Sequence, residues 1–258
     1  MLENKFRTVI LAILISSSLI SCKKSIDEPT IPTIPIVPPP STGTVVDIEG
    51  NVYKTIKIGT QTWMIENLKT IHFNDSTIIP KVLNDYDWIK LRTPAYCWSD
   101  AIIESKQNGA LYNWYAVNTN KLAPKGWHIP SYNEWTILEN YLISNAYNYN
   151  GSTSDNLIGK SLASQTGWAS APGIWCIGFQ PLLNNKSGFS GQPCAFRSSN
   201  GIIFENSGAS CDWWSSTEDS TLNIGKVYST GLSIYYKGTY QGWNDKEFGF
   251  SVRCIKNE

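Results

Sequence analysis

The sequence predicts an α+β fold: small antiparallel sheets, two flanking helices, and a long loop region that carries further strands. Three observations point there. The early part of the chain alternates apolar and polar residues in short runs broken by turn residues. Further on, Ser131 is followed three residues later by Glu134 at the head of an apolar helical stripe. The composition, with 11 Trp, 13 Tyr and 19 Gly but only 16% charged residues, is that of a turn-rich exported domain.

In chain order, Lys5 and Arg7 precede the apolar run "TVILAILISSSLI", which stops at Ser21–Cys22. A basic start and a short apolar stretch read as an export signal. The run falls short of the roughly 20 apolar residues of a membrane-spanning helix, which disfavours an uncleaved anchor. Its end, Leu19-Ile20-Ser21-Cys22, resembles the lipobox of bacterial lipoproteins. That resemblance implies cleavage after residue 21, acylation of Cys22 and, with non-acidic Lys23 next, residence in the outer membrane, on a face that the sequence leaves open between periplasm and cell surface. Residues 22–43 then hold prolines at 29, 32, 35, 38, 39 and 40. This spacing matches the three-residue turn of polyproline II, so a stiff tether reaching up to roughly 60 Å is expected.

Residues 44–258 remain as one domain. Removing the signal takes Glu3, Lys5 and Arg7 with it and leaves 19 basic against 20 acidic side chains. No basic patch follows, which argues against a nucleic-acid partner. "TVVDIEGNVYKTIKIGTQTWMIENL" reads as two or three antiparallel strands turning at "EGN" and "GTQ". "GALYNWYAVNTNKLA", apolar at 111, 114, 115, 117 and 122, predicts a first short helix. "SYNEWTILENYLIS" predicts a second, with Trp135, Leu138, Tyr141 and Leu142 on one face. "SSNG" at 198–201 marks a hairpin, and "DWWSST", "KVYST", "LSIYYKG" and "FGFSVRCIK" are further strands. The first and last strands pair if the chain ends meet.

Six blocks, "GNVYKTIKIGTQTWMIENL", "GALYNWYAV", "KGWHIPSYNEW", "SGFS", "WWSSTE" and "FGFSVRC", occur in the order seen in the Fibrobacter succinogenes major paralogous domain. The chain resembles that family from about residue 45 to its end. The resemblance extends to the C-type lectin-like fold, in which the termini pair and a long loop region carries ligands. It also extends to the formylglycine-generating enzymes, which use a cysteine pair for copper and oxygen chemistry. "CAFR" at 194–197 is only a faint echo of their motif.

The cysteines besides Cys22 are Cys97, Cys176, Cys194, Cys211 and Cys254, an odd set that leaves at least one thiol outside any internal disulfide. Family members commonly carry a cysteine where this chain has Ala123; if that is the usual partner of Cys254, either Cys97 takes its place here or Cys254 is a free thiol. Cys194 and Cys211 flank the 198–201 hairpin and are the candidate disulfide.

The candidate ligand-binding residues are Trp213, Trp214, Glu218, Trp243, Asn244 and Asp245. Adjacent tryptophans on a strand face opposite ways, so one of Trp213 and Trp214 can be core and the other a surface on which a sugar stacks. Packing of both is the favoured reading, with the exposed ring as the alternative that makes them binding candidates. The triplet Trp243-Asn244-Asp245 is similar to the one that gives C-type lectins oxygens for a sugar-binding calcium. That ion takes roughly six to eight oxygens, and "QPC" at 192–194 lacks the carboxamide or carboxylate of a partner tripeptide. A turn in which Asn244 and Asp245 bond their own backbone is therefore expected, with no metal and no cofactor. His128, between Trp127 and Ile129, has no catalytic signature around it. The expectation is a non-enzymatic, lipid-anchored envelope protein binding an extracellular glycan or protein. An oxidase like the formylglycine-generating enzymes and a purely structural envelope component are the alternatives.

Overall fold

A computed structural model describes residues 39, 41–98, 108–205, 207–220 and 224–258. The signal segment, Cys22 and most of the proline tether lie outside these. Strands β1 (Gly43–Val46), β2 (Val52–Ile58) and β3 (Gln61–Met64) form the expected opening meander. Its first turn is organised by Asp47. One carboxylate oxygen accepts from the Glu49 and Asn51 backbone N–H groups at 2.9 Å, and the other from the Tyr53 hydroxyl at 2.7 Å. This is the self-capping that makes aspartate a turn residue.

Strands β4 (Tyr96–Trp98), β5 (Ala110–Asn113) and β6 (Trp127–His128) follow. Beyond the helical segment come β7 (Phe196–Arg197), β8 (Ile203–Phe204), β9 (Ser210–Glu218), β10 (Val227–Ser233), β11 (Thr239–Asn244), β12 (Gly249–Phe250) and β13 (Ile255–Lys256). They make three antiparallel sheets, ordered β1-β2-β3-β13-β6, β11-β10-β9 and β4-β5-β12-β7-β8. The last strand joins the sheet of the first without pairing with it directly: β13 inserts between β3 and β6, with Ile255 opposite both Trp63 and His128. The expected 198–201 hairpin joins β7 to β8. Gly201 is required there. Its φ is +87°, and a Cβ would sit 2.6 Å from the Asp85 carbonyl oxygen. Buried Arg197 holds this hairpin to the rest of the third sheet, donating to the Gly201 and Val82 carbonyls at 2.6 Å and to the Asp85 carboxylate at 2.8 Å.

The helices correct the predicted fold class. The fold is mainly β, not a helix-flanked α+β lectin-like fold. Among the described residues one α-helix exceeds a single turn, α3 (Tyr132–Ser144); α1 (Asp85–Trp88), α2 (Trp114–Val117) and α4 (Gly159–Leu162) are one turn each. The expected first helix is half strand. Ala110–Asn113 are all buried and paired with both β4 and β12, so ladder bonds from two neighbours override a weak helical pattern. Asn113 then starts the single turn of α2, its side chain accepting from the Ala116 N–H at 3.2 Å.

The second expected helix is present with its capping box. The Ser131 hydroxyl accepts from the Glu134 N–H at 3.3 Å, and the Glu134 carboxylate accepts from the Ser131 N–H at 2.7 Å. Trp135, Leu138 and Leu142 are buried, with Tyr141 packed beside them.

Two main apolar cores result. One gathers Tyr112, Trp114, Trp214 and Phe250, the other Trp63, Trp135, Phe189 and Trp213. Strand β9 runs between them. In the second core Trp63 and Trp135 lie 4.7 Å apart, and Trp213 stacks on Trp135 at 6.0 Å. Each large apolar side chain buried this way contributes roughly 1.5–3 kcal/mol.

Candidate functional site

The structure divides the predicted binding residues into two groups. Trp213 and Trp214 are 1% and 0% exposed, so both rings pack, which corrects their place among the candidate ligand-binding residues. They do face opposite sides of β9, but each side is covered by its own core. Their indole N–H groups are satisfied internally: Trp213 donates to the Asn67 side chain at 2.8 Å, and Trp214 to the Tyr112 carbonyl at 2.7 Å. A strand sandwiched between two cores buries both faces, and alternation no longer separates inside from outside.

Glu218, Trp243, Asn244 and Asp245 converge at one end of the central sheet. Val227 of β10 stands opposite Glu218 on one side and Asn244 on the other. Trp243 pairs across the ladder with Tyr228, and their rings are 6.2 Å apart. Tyr228 also contacts Tyr132 at 4.6 Å. Trp243 and Tyr132 are 53% and 38% exposed, so the three rings form one stripe open to solvent.

A β-bulge aims this stripe. Residues 215–217 of β9 lie opposite Tyr228 alone, where the register shifts. The extra length docks on the start of α3, with the Ser216 N–H donating to the Pro130 carbonyl at 2.9 Å and the Thr217 hydroxyl accepting from the Tyr132 N–H at 3.0 Å. Bulges commonly redirect side chains in this way. Here the bulge brings the first residue of the helix beside the sheet, which places Tyr132 against Tyr228.

Ion pairs flank the stripe. Lys226 meets Asp245 at 2.5 Å and Lys246 meets Glu218 at 2.6 Å. Asn244 ends β11 and donates its amide to the Ser229 hydroxyl at 2.8 Å. The expected turn begins one residue later: Asn244 ends the strand, Asp245 opens the turn with its carbonyl accepting from the Phe248 N–H at 3.1 Å, and the side chains bond Ser229 and Lys226. The Asn244 amide N–H and the Asp245 carboxylate go to separate partners, and among the described residues no group of three or more His, Cys, Asp or Glu side chains could hold a metal.

Tyr132 and Tyr228 were not singled out from sequence. A signal was present in retrospect. Tyr132 lies off the buried stripe of its helix, and Tyr228 alternates with Val227 and Ser229, which are buried. Which exposed tyrosines meet is set by the bulge.

His128 lies apart from these rings. One nitrogen is 2.6 Å from the Glu134 carboxylate and the other 2.7 Å from the Asn257 side-chain oxygen. With oxygen partners on both sides, the charged imidazolium fits best, and the Glu134 hydrogen bond raises the His128 pKa against the opposing effect of burial. Burial works against the Glu134 carboxylate, but its bonds from His128 and Ser131 outweigh that and lower its pKa. The ring therefore ties β6, α3 and the C-terminal residues together. It also lines a small cavity of about 140 Å³ with Val117, Leu122, Ile129 and Ser216. His72 is likewise engaged by a carboxylate, that of Glu49, at 2.9 Å.

A pH dependence follows. The folded pKa of His128 is raised, so its stabilisation is complete below the unfolded value near 6.5 and lost as pH rises through the folded value. The folded pKa of Glu134 is lowered, so its share is present above the unfolded value and lost as pH falls through the folded one. Urea midpoints of wild type are expected to decline above neutral pH by more than those of Glu134→Gln. Parallel profiles for the two proteins would show that the pair does not couple to folding.

The five described cysteines form no disulfide. Cys194 and Cys211, the candidate pair, are present as thiols that hydrogen-bond one another.

No characterised protein and no solved structure matches the chain at a significant level. The sequence model of one family does match, over residues 56–256, a span that takes in β3, the capped helix α3, both cores and the aromatic stripe. By that match, the chain belongs to the Fibrobacter succinogenes major domain family.

Proposed function

We propose that this is a lipid-anchored outer-membrane protein displaying a non-enzymatic domain that binds an extracellular glycan along the Tyr132–Tyr228–Trp243 stripe. The stripe is the observation that carries the reading. A sugar ring offers a flat face of C–H bonds edged by hydroxyls. Exposed aromatic rings complement the face, and the Glu218, Asn244, Asp245 and Lys226 side chains complement the edge. Tyrosine and tryptophan offer large contact areas with few rotatable bonds, so little side-chain entropy is lost on binding. Apolar rings left exposed together with polar groups at their rim are the usual mark of a recognition surface. A binding role rather than a catalytic one is supported by both histidines being tied to glutamates.

Display at the surface rests on Lys5, Arg7, the short apolar run, Cys22 and the proline-rich tether. Cys22→Ala is expected to move the protein from the membrane fraction to the soluble one; unchanged sedimentation with membranes would remove the anchor from this reading.

The binding claim is tested by applying the mature chain to arrays of glycans and of extracellular matrix proteins. Glycan hits support the reading. Hits on proteins alone would assign the stripe to a protein ligand, and silence on both arrays would reject a binding role at this surface.

A further inference from the structure

We infer that Cys194 and Cys211 close a structural disulfide in the exported protein, pinning the start of the β7–β8 hairpin to the central sheet. The two side chains are in hydrogen-bond contact. Their backbones are held side by side, because the Cys194 N–H donates to the carbonyl of Ser210, the residue just before Cys211, at 3.1 Å. Cys211 is fixed in turn by the β9–β10 ladder, opposite Leu232. Ser251 donates its hydroxyl to the Cys194 sulfur at 3.4 Å. Neighbouring backbones, with both side chains in the second core, bring the two cysteines together as the short Cα separation of a disulfide requires. The remaining cysteines sit elsewhere: Cys97 on β4 in a small third core, Cys254 in the first core, and Cys176 with its thiol donating to the Pro172 carbonyl at 2.6 Å.

The chemistry balances with an external disulfide as oxidant, either a small-molecule disulfide or an oxidoreductase of the exported compartment. The Cys194 thiolate attacks one sulfur of the oxidant and expels the other as a thiolate. Cys211 then loses its proton to solvent and displaces the second oxidant sulfur. One protein S–S bond forms, two thiol protons are lost, and the oxidant leaves as two reduced thiols. Both protein sulfurs are buried in the finished fold, at 5% and 0% exposure, so the reaction belongs to the stage before the second core closes.

This inference is independent of the glycan reading, since a chain that binds no sugar would still carry the bond. The mature protein isolated from the envelope is denatured in alkylating reagent without reductant and its peptides are mapped. The expected result is one cross-linked peptide pair, Cys194 with Cys211, and alkyl groups on Cys97, Cys176 and Cys254. Five alkylated cysteines, or Cys194 bonded to any other cysteine, would overturn the inference. A second measurement needs no variant: wild type refolded with oxidised glutathione should melt about 5–10 °C above wild type refolded with excess reductant, as closing a loop of this size implies. Equal melting temperatures would also overturn it.

Discussion

Trp214→Ala should cost about 3–5 kcal/mol of folding stability, the largest single loss anticipated in this domain. Three effects combine. The indole is wholly buried in the first core, so its removal forfeits transfer free energy and leaves a cavity. Its ring packs 4.5 Å from Phe250, which brings β12 onto the central sheet. Its N–H also caps the Tyr112 carbonyl at 2.7 Å, and that acceptor would lose its indole donor. Trp214→Phe keeps most of the apolar volume but not the donor, so a smaller loss is expected. The measurement is a urea titration, in which the midpoint falls while the slope stays near that of wild type. A Trp214→Ala protein within about 0.5 kcal/mol of wild type that fails to bind ligand would return this indole to the binding surface.

Trp243→Ala should do the opposite. Its ring is 53% exposed and borders the stripe on the edge strand, so stability should change by no more than about 0.5 kcal/mol. Affinity for a glycan found by array should fall at least about tenfold, since truncating a central aromatic contact commonly costs 2 kcal/mol or so. Tyr236→Ala is the control. Tyr236 is also exposed, but it lies in the turn at the far end of the β10–β11 hairpin. Equal losses for the two variants would mean that binding does not depend on the stripe. Unchanged affinity for Trp243→Ala would place the ligand elsewhere.

These two tryptophans show where local reading works and where it stops. From sequence, Trp213, Trp214 and Trp243 are all candidate binding rings, the first two on a strand and the third beside a turn. Only Trp243 is at a surface, because β11 is an edge strand and β9 has a core on either side. Period-two alternation reports which way a side chain points. It carries no information about what covers each face. The same limit accounts for the lost first helix. The apolar spacing of "GALYNWYAV" suits one face of a helix, but Ala110–Asn113 find strand partners on both sides, and those partners come from residues 96–98 and 249–250.

What the sequence by itself determined is local. The turn at "EGN", the box of Ser131 and Glu134, and the hairpin at 198–201 each rest on contacts within a few residues, and each stands as read. The ordered motif blocks likewise identified the family. The tertiary structure alone decided the mainly β architecture, the two cores that cover Trp213 and Trp214, and the meeting of Tyr132 with Tyr228 and Trp243. All of these depend on strand pairings across many residues and on a bulge in β9. Such arrangements are selected by the joint burial of two cores, and no short stretch of chain encodes them.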